Sequence, residues 1–287
     1  MCHEHKQWAG QLFAVAVWVA GAQVAQAVPV VFQSNGPNVA AIQSNVDEFR
    51  SFLGANNGTG PGPFVGGRRE INWDAVPEGS SSPNSFPGDF FNQTTAGRAR
   101  GAVFSTPGTG FQVSANFING TNTAIEFGNI EGTYPNEFTV FSAQKLFTPV
   151  GSNITDVTFS IPGQPGVPAT TNGFGAVFTD VDLTGSTSIE YYNPTNQLLF
   201  SQTVRAAVGS ETLSFLGVLF DAGEQVARVR IFSGNTAPGS GVLDNPGGGA
   251  DIVAMDDFIY GEPVPEPLTM LLLGVGTVMM AARRRVG

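Results

Sequence analysis

Histidine and cysteine are almost missing from this 287-residue chain: its two histidines are His3 and His5, and its one cysteine is Cys2. Beyond residue 5, no position supplies an imidazole or a thiolate. That excludes a Ser-His-Asp triad, a Cys-His nucleophile pair and a structural zinc site from the body of the chain. Disulfides are excluded as well, and a chain of this length buries enough apolar surface to do without such staples. Charge is also scarce, with 13% of residues Asp, Glu, Lys or Arg, and acids outnumber bases 23 to 13. The formal net charge of −10 repels phosphate backbones, so nucleic acid is not an expected partner. Acidic loops suit a hard cation such as Ca2+ instead.

No long helical periodicity runs through the chain. One short amphipathic stripe is expected after Pro37, where Val39, Ile42, Val46, Phe49 and Leu53 fall at three- and four-residue steps and Gly54 ends the run. Arg50 is the stripe's single base, which favours packing against a sheet over binding a membrane. A Gly/Asn/Pro-rich loop follows, to residue 67. From there to Gly261, β-branched and aromatic runs are broken by Gly, Pro, Asn and Ser. Strands are predicted at 103–106, 111–116, 138–141, 154–161, 175–181, 188–192, 198–204, 213–220, 226–232 and 252–260. Asn193-Pro194-Thr195-Asn196 reads as a hairpin turn, because proline presets φ and asparagine tolerates the left-handed position. The fold class expected is all-β, an antiparallel β-sandwich of jelly-roll type carrying one N-terminal helix. No internal repeat is evident, and the short strands and long loops argue against an outer-membrane barrel.

Each end carries an apolar run. Lys6 precedes the first, which spans residues 8–20 and is short for a membrane span, and Ala25-Gln26-Ala27 then offers the small-x-small pattern that signal peptidase cuts. Residues 1–27 are read as a signal peptide cleaved after Ala27, although Glu4 dilutes its positive start. At the other end, Pro265-Glu266-Pro267 is followed by the apolar stretch 268–282 and by Arg283-Arg284-Arg285. The prolines mark an extended boundary, Gly274 and Gly276 make the stretch a marginal span, and the arginines favour the cytoplasmic side. An uncleaved anchor is the alternative at either end.

Motif, apolar stretch and arginine cluster in that order resemble the sorting signal of PEP-CTERM proteins. The resemblance covers about the last tenth of the chain and implies processing by an exosortase, a membrane protease. It implies three parts: a signal peptide at 1–27, an exported domain at 28–262 and a sorting segment at 263–287. The expected route is export, an inner-membrane intermediate, and then the cell surface or the extracellular space. Losing Lys6, Glu4 and the three arginines removes four bases and one acid, which takes the net charge of the exported part to about −13. The runs Arg68-Arg69-Glu70-Ile71-Asn72-Trp73-Asp74 and Met255-Asp256-Asp257-Phe258-Ile259-Tyr260-Gly261 also resemble domains that accompany such signals, a likeness that brings no catalytic residues with it.

Two constellations carry chemistry. Asp180 and Asp182 are two apart, so an extended backbone points both carboxylates one way. In the last strand, Asp257 shares a face with Met255 and Ile259, and Asp256 shares the other with Ala254 and Phe258, so one aspartate enters the core. A buried carboxylate needs a cation, an arginine or backbone N–H donors. Convergence of Asp180, Asp182 and Asp256 or Asp257 on Ca2+ is one reading; pairing with Arg228 or Arg230, or with loop amides, is the other. Trp73 beside Asp74 has the makings of a sugar platform, or equally of a loop anchored on the core with Arg69 paired to Asp74 or Glu70. The function expected is a non-enzymatic surface or matrix protein associated with exopolysaccharide. The alternative is a glycoside hydrolase or lyase, the class that works with carboxylates alone, for which Glu126, Glu131, Glu190 and the aspartates above are eligible.

Overall fold

The computed structural model describes residues 28–116 and 123–266. Ala25 and Ala27 of the expected cleavage site, and Pro267, Arg283, Arg284 and Arg285 of the sorting segment, lie outside the described residues. Among the described residues no helix is long and apolar enough to cross a membrane.

The described residues begin with β1 (Val30–Gly36) and, the one α-helix among them, α1 (Val39–Leu53). Short strands follow as β2 (Arg68–Ile71), β3 (Ala102–Ser105), β4 (Gly110–Val113), β5 (Phe147–Val150), β6 (Ile154–Phe159) and β7 (Ala169–Thr170). The remainder is β8 (Gly173–Thr179), β9 (Ser188–Tyr192), β10 (Leu198–Thr203), β11 (Leu213–Leu219), β12 (Arg228–Phe232), β13 (Ala254–Gly261) and β14 (Val264–Pro265). The larger main sheet runs β1-β11-β8-β13-β5-β4, with β2 also paired to β13; the smaller main sheet runs β10-β9-β12-β6-β3; and β14 pairs with β7 in a two-stranded ribbon. The strand pairs are antiparallel.

The two sheets meet face to face, as in a sandwich, over an aromatic-rich core. Phe104, Val157, Phe159, Ile189, Tyr191, Val229 and Ile231 come from the smaller sheet, and Phe147, Phe174, Phe178, Leu216, Met255, Phe258 and Tyr260 from the larger. Period-two alternation is plain in β12, where Val229 and Ile231 are buried while Arg228 and Arg230 face outward onto Asp156. The larger sheet is apolar on both sides, because α1 covers its outer face. Ile42, Val46, Phe49 and Leu53 pack there on Val177, Phe215 and Ile259. The Phe49 ring leaves no space for a Cβ at Gly175 or Gly217, which lie opposite each other on β8 and β11. The helix begins at an Asn38 side-chain cap and ends at Gly54, whose φ of 99° suits glycine.

Three expectations change. Residues 138–141 are not a strand: Phe138 instead joins Phe127, Tyr134 and Leu146 in a satellite core, and the amides that follow it bond to side chains. The sequence reading missed β1, β2 and β5 and the two-residue strands β7 and β14. In β13 the register against β8 shifts between Met255 and Phe258, a bulge that sets two residues against one. Strict alternation therefore fails there, and both Asp256 and Asp257 are buried.

Candidate functional site

The aspartates split into two groups that do different work. Asp256 accepts hydrogen bonds from the Phe141 and Ser142 amides at 2.6 and 3.1 Å. Asp257 accepts from Ser142 Oγ at 2.7 Å and pairs with Arg50 of α1 at 2.9 Å. Asp74 accepts from the Gln144 and Lys145 amides. These three carboxylates clamp residues 141–145, a segment with no strand partner, so they replace the ladder it lacks. Burial pushes the Asp256 carboxyl well above the usual range, with the neighbouring Asp257 adding to it, and burial likewise raises Asp257 and Asp74.

Trp73 is 1% exposed. Its ring stacks on Phe147 with centroids 4.1 Å apart, and its Nε1 donates to the Asp256 carbonyl at 2.8 Å. The indole thus offers no face to a sugar, and its role is that of a core aromatic with its polar edge satisfied. Arg69 pairs with neither Asp74 nor Glu70. It forms a two-pronged pair with Glu262, at 2.6 and 2.8 Å.

The second group sits where β8 ends. Asp180 leaves the strand at φ 68°, which turns its side chain out of the extended alternation and parts it from Asp182. Asp182 accepts from the Gly209 amide at 2.6 Å. Behind it, Asp251 takes the Asp182 and Leu183 amides and the Ser186 hydroxyl. Asp180 is 1% exposed, and neither of its carboxylate oxygens has a hydrogen-bond partner. The residues brought to it are Glu137, just after a 3-10 turn at Tyr134–Asn136, and Asp244, just before another at Pro246–Gly248. One carboxylate oxygen from each of Glu137, Asp180 and Asp244 lies within 4.8 Å of the others. The calcium set read from the sequence is therefore not assembled as expected: Asp180 keeps its place, while Asp182, Asp256 and Asp257 are engaged by the chain itself.

The scaffold around this trio is specific. Tyr134 Oη donates to the Val242 carbonyl at 2.9 Å and accepts from the Gly239 amide at 3.2 Å, which ties the Glu137 segment to the Asp244 loop. Ser210 Oγ donates to Glu137 Oε2 at 2.7 Å, and the Ile252 amide to Asp244 Oδ1 at 2.9 Å. One oxygen of each residue is left for another partner. Burial, reinforced by repulsion from Asp244, Asp182, Glu137 and Asp251, pushes the Asp180 carboxyl up to about 9. Burial raises Asp244 to about 6 against the opposing Ile252 hydrogen bond. An all-carboxylate donor set suits a hard cation rather than zinc or copper. Sequence reasoning missed Glu137 and Asp244, whose only local cue is an acid beside turn-forming proline and asparagine.

Glu126, Glu131 and Glu190 do not share a cleft. Glu131 accepts from the Gly132 and Gly241 amides, and Glu190 from the Tyr192 hydroxyl in the smaller sheet. Glu126 is raised to about 7, by burial first and then by Glu211. One surface groove of about 310 Å³ is lined by Thr158, Ser160, Pro168, Ala227 and Glu266. Another, of about 450 Å³, is lined by Gln33, Asn35, Thr184, Gln202 and Arg205. No protein-family model matches the chain, and no curated protein matches it.

Proposed function

We propose that this chain is an exported, non-enzymatic domain of the cell surface or extracellular matrix. In this reading signal peptidase cuts after Ala27, the segment from Pro265 to Arg285 holds an inner-membrane intermediate, and an exosortase-type protease releases the domain at Pro265-Glu266-Pro267. The observation that carries it is the ordered C-terminal trio of motif, apolar stretch and arginine cluster. Among the described residues the last long strand ends at Gly261 and Val264 is exposed, although the two-residue β14 still pairs Val264 and Pro265 with β7 just ahead of the motif's Glu266.

The chain order also supports the jelly-roll reading. From β5 onward, leaving aside the two-residue β7 and β14, the strands fall in the larger sheet as β5-β13-β8-β11 and in the smaller as β6-β12-β9-β10, the interleaving of two Greek keys. We favour a non-enzymatic role over glycoside hydrolysis, which needs a facing pair of carboxylates: of the two grooves described, one is lined by the single carboxylate of Glu266 and the other by none. Exopolysaccharide is the partner we assign. The amide and hydroxyl side chains of Gln33, Asn35, Thr184 and Gln202 offer it the hydrogen bonds that sugar hydroxyls take.

Cell fractionation with intact-mass measurement, in a bacterial host carrying an exosortase, tests the address. The expected product starts at Val28, lacks Arg283 to Arg285 and is found outside the inner membrane. Recovery of the full-length chain from cytosol overturns the reading.

A further inference from the structure

We infer that Glu137, Asp180 and Asp244 bind one Ca2+ ion at the end of the sandwich, each through a carboxylate oxygen. This goes beyond the export reading and stands without it. Two independent observations meet here: a trio of carboxylate oxygens within 4.8 Å of one another, and a member of that trio buried to 99% with both oxygens unpartnered. Buried polar groups in native proteins nearly always have a partner, so Asp180 requires one that the protein does not supply.

A proton does not solve the problem. Protonation would let one Asp180 oxygen donate toward a neighbouring carboxylate, but it supplies no donor to the other oxygen, which stays buried without a partner. Among the described residues, no lysine or arginine forms an ion pair with Glu137, Asp180 or Asp244. A divalent cation gives the Asp180 carboxylate the partner it lacks and removes the repulsion among the three acids. Two oxygens on opposite sides of one Ca2+ stand about 4.6–5.2 Å apart, and the separation of up to 4.8 Å falls within that shell. Mg2+ demands a closer, octahedral set at about 2.0–2.1 Å per bond, which three carboxylates fixed by separate loops do not readily give. Of the neighbouring acids, Asp251 is engaged through both oxygens by Ser186 and two amides, whereas Glu137 and Asp244 each keep one oxygen without a hydrogen bond and stand with Asp180 as the trio of converging oxygens.

The site would also join three segments distant in sequence: the turn after Tyr134, the end of β8 and the loop before Pro246. The ion then acts as a cross-link over the satellite core of Phe127, Tyr134, Phe138, Leu146 and Ile252.

The test uses the full-length chain in mild detergent, stripped with EGTA and titrated calorimetrically with CaCl2 and, separately, MgCl2, alongside thermal melts. One Ca2+ per chain is expected. Calcium at a hundredfold excess over its Kd should raise the Tm by about 5–10 °C, with Mg2+ far weaker. Asp180→Asn should abolish the Ca2+-dependent rise while leaving the EGTA-state Tm equal or higher, since an amide replaces an unpartnered carboxylate. Absence of Ca2+ binding to the wild-type chain, an undiminished response in D180N, or a response to Mg2+ equal to that for Ca2+ each overturns the assignment. Should D180N fail to fold, the half-buried Glu137→Gln carries the test: a loss of at least tenfold in Ca2+ affinity supports the site, and an unchanged affinity overturns it.

Discussion

Replacing Glu262 by glutamine probes the most buried charge pair among the described residues. The Arg69 guanidinium is fully enclosed and makes five hydrogen bonds: two to Glu262, at 2.6 and 2.8 Å, and three to the carbonyls of Gly58, Gly60 and Ala99. Glu262 also accepts from Asn57 Nδ2 and the Phe64 amide, so the pair fastens the glycine-rich loop before β2 to the end of β13. Glutamine keeps the shape but removes the charge, and it turns an NH2 group toward donors. Breaking a buried pair from one side costs about 3–5 kcal/mol, a large share of the ~5–15 kcal/mol that holds a domain folded. The three carbonyls remain as partners for Arg69, so the low end, about 3 kcal/mol, is expected. That corresponds to a fall in Tm of about 6–12 °C for a domain of this size. Urea unfolding of wild type, E262Q, R69M and the double variant gives the cycle, in which the second substitution should cost far less than the first. A loss below about 1 kcal/mol for E262Q, the level of an exposed pair, would refute the reasoning.

Two further outcomes follow from packing and charge. Gly217→Ala places a methyl 2.9 Å from two ring carbons of Phe49 and should cost about 1–3 kcal/mol in urea unfolding, part of which Phe49→Leu restores; additivity of the two changes would count against the clash. Glu126 keeps its proton in the folded state to about pH 7, above its usual 4.5, so ionising it opposes folding: the penalty is absent below pH 4.5, grows between there and 7, and is complete above. Glu126→Gln should therefore flatten the fall in stability across that window, and an identical pH profile would show that its burial carries no such penalty.

Local signals were legible where chemistry and spacing agreed. The stripe of Ile42, Val46, Phe49 and Leu53 became the buried face of α1, and the Asn193–Asn196 turn has Asn196 at φ 60°, with Asn193 capping the Thr195 and Gln197 amides. Long-range pairing was not legible. Arg69 had acids one and five residues away yet pairs with one 193 residues on, because sheet pairing of β2 with β13 decides which carboxylate it meets. The bulge at Asp256 and Asp257 inserts one residue that no alternation rule announces. Asp180 could be singled out from its place beside an apolar strand, but Glu137 and Asp244 come from turns without periodicity, and only the tertiary fold brings them to it. The apolar run 138–141 misled because it packs as a loop over its own small core.

Strand β13, the last long strand among the described residues, lies inside the larger sheet, with β8 on one side and β5 and β2 on the other. A chain lacking residues 254–261 has a gap through the middle of that sheet, not a shortened edge. Any machinery that threads this polypeptide from its N-terminus therefore handles an unfinished sandwich until nearly the whole of residues 28–266 has passed. Completion of the fold is thus tied to arrival of the segment that immediately precedes Pro265-Glu266.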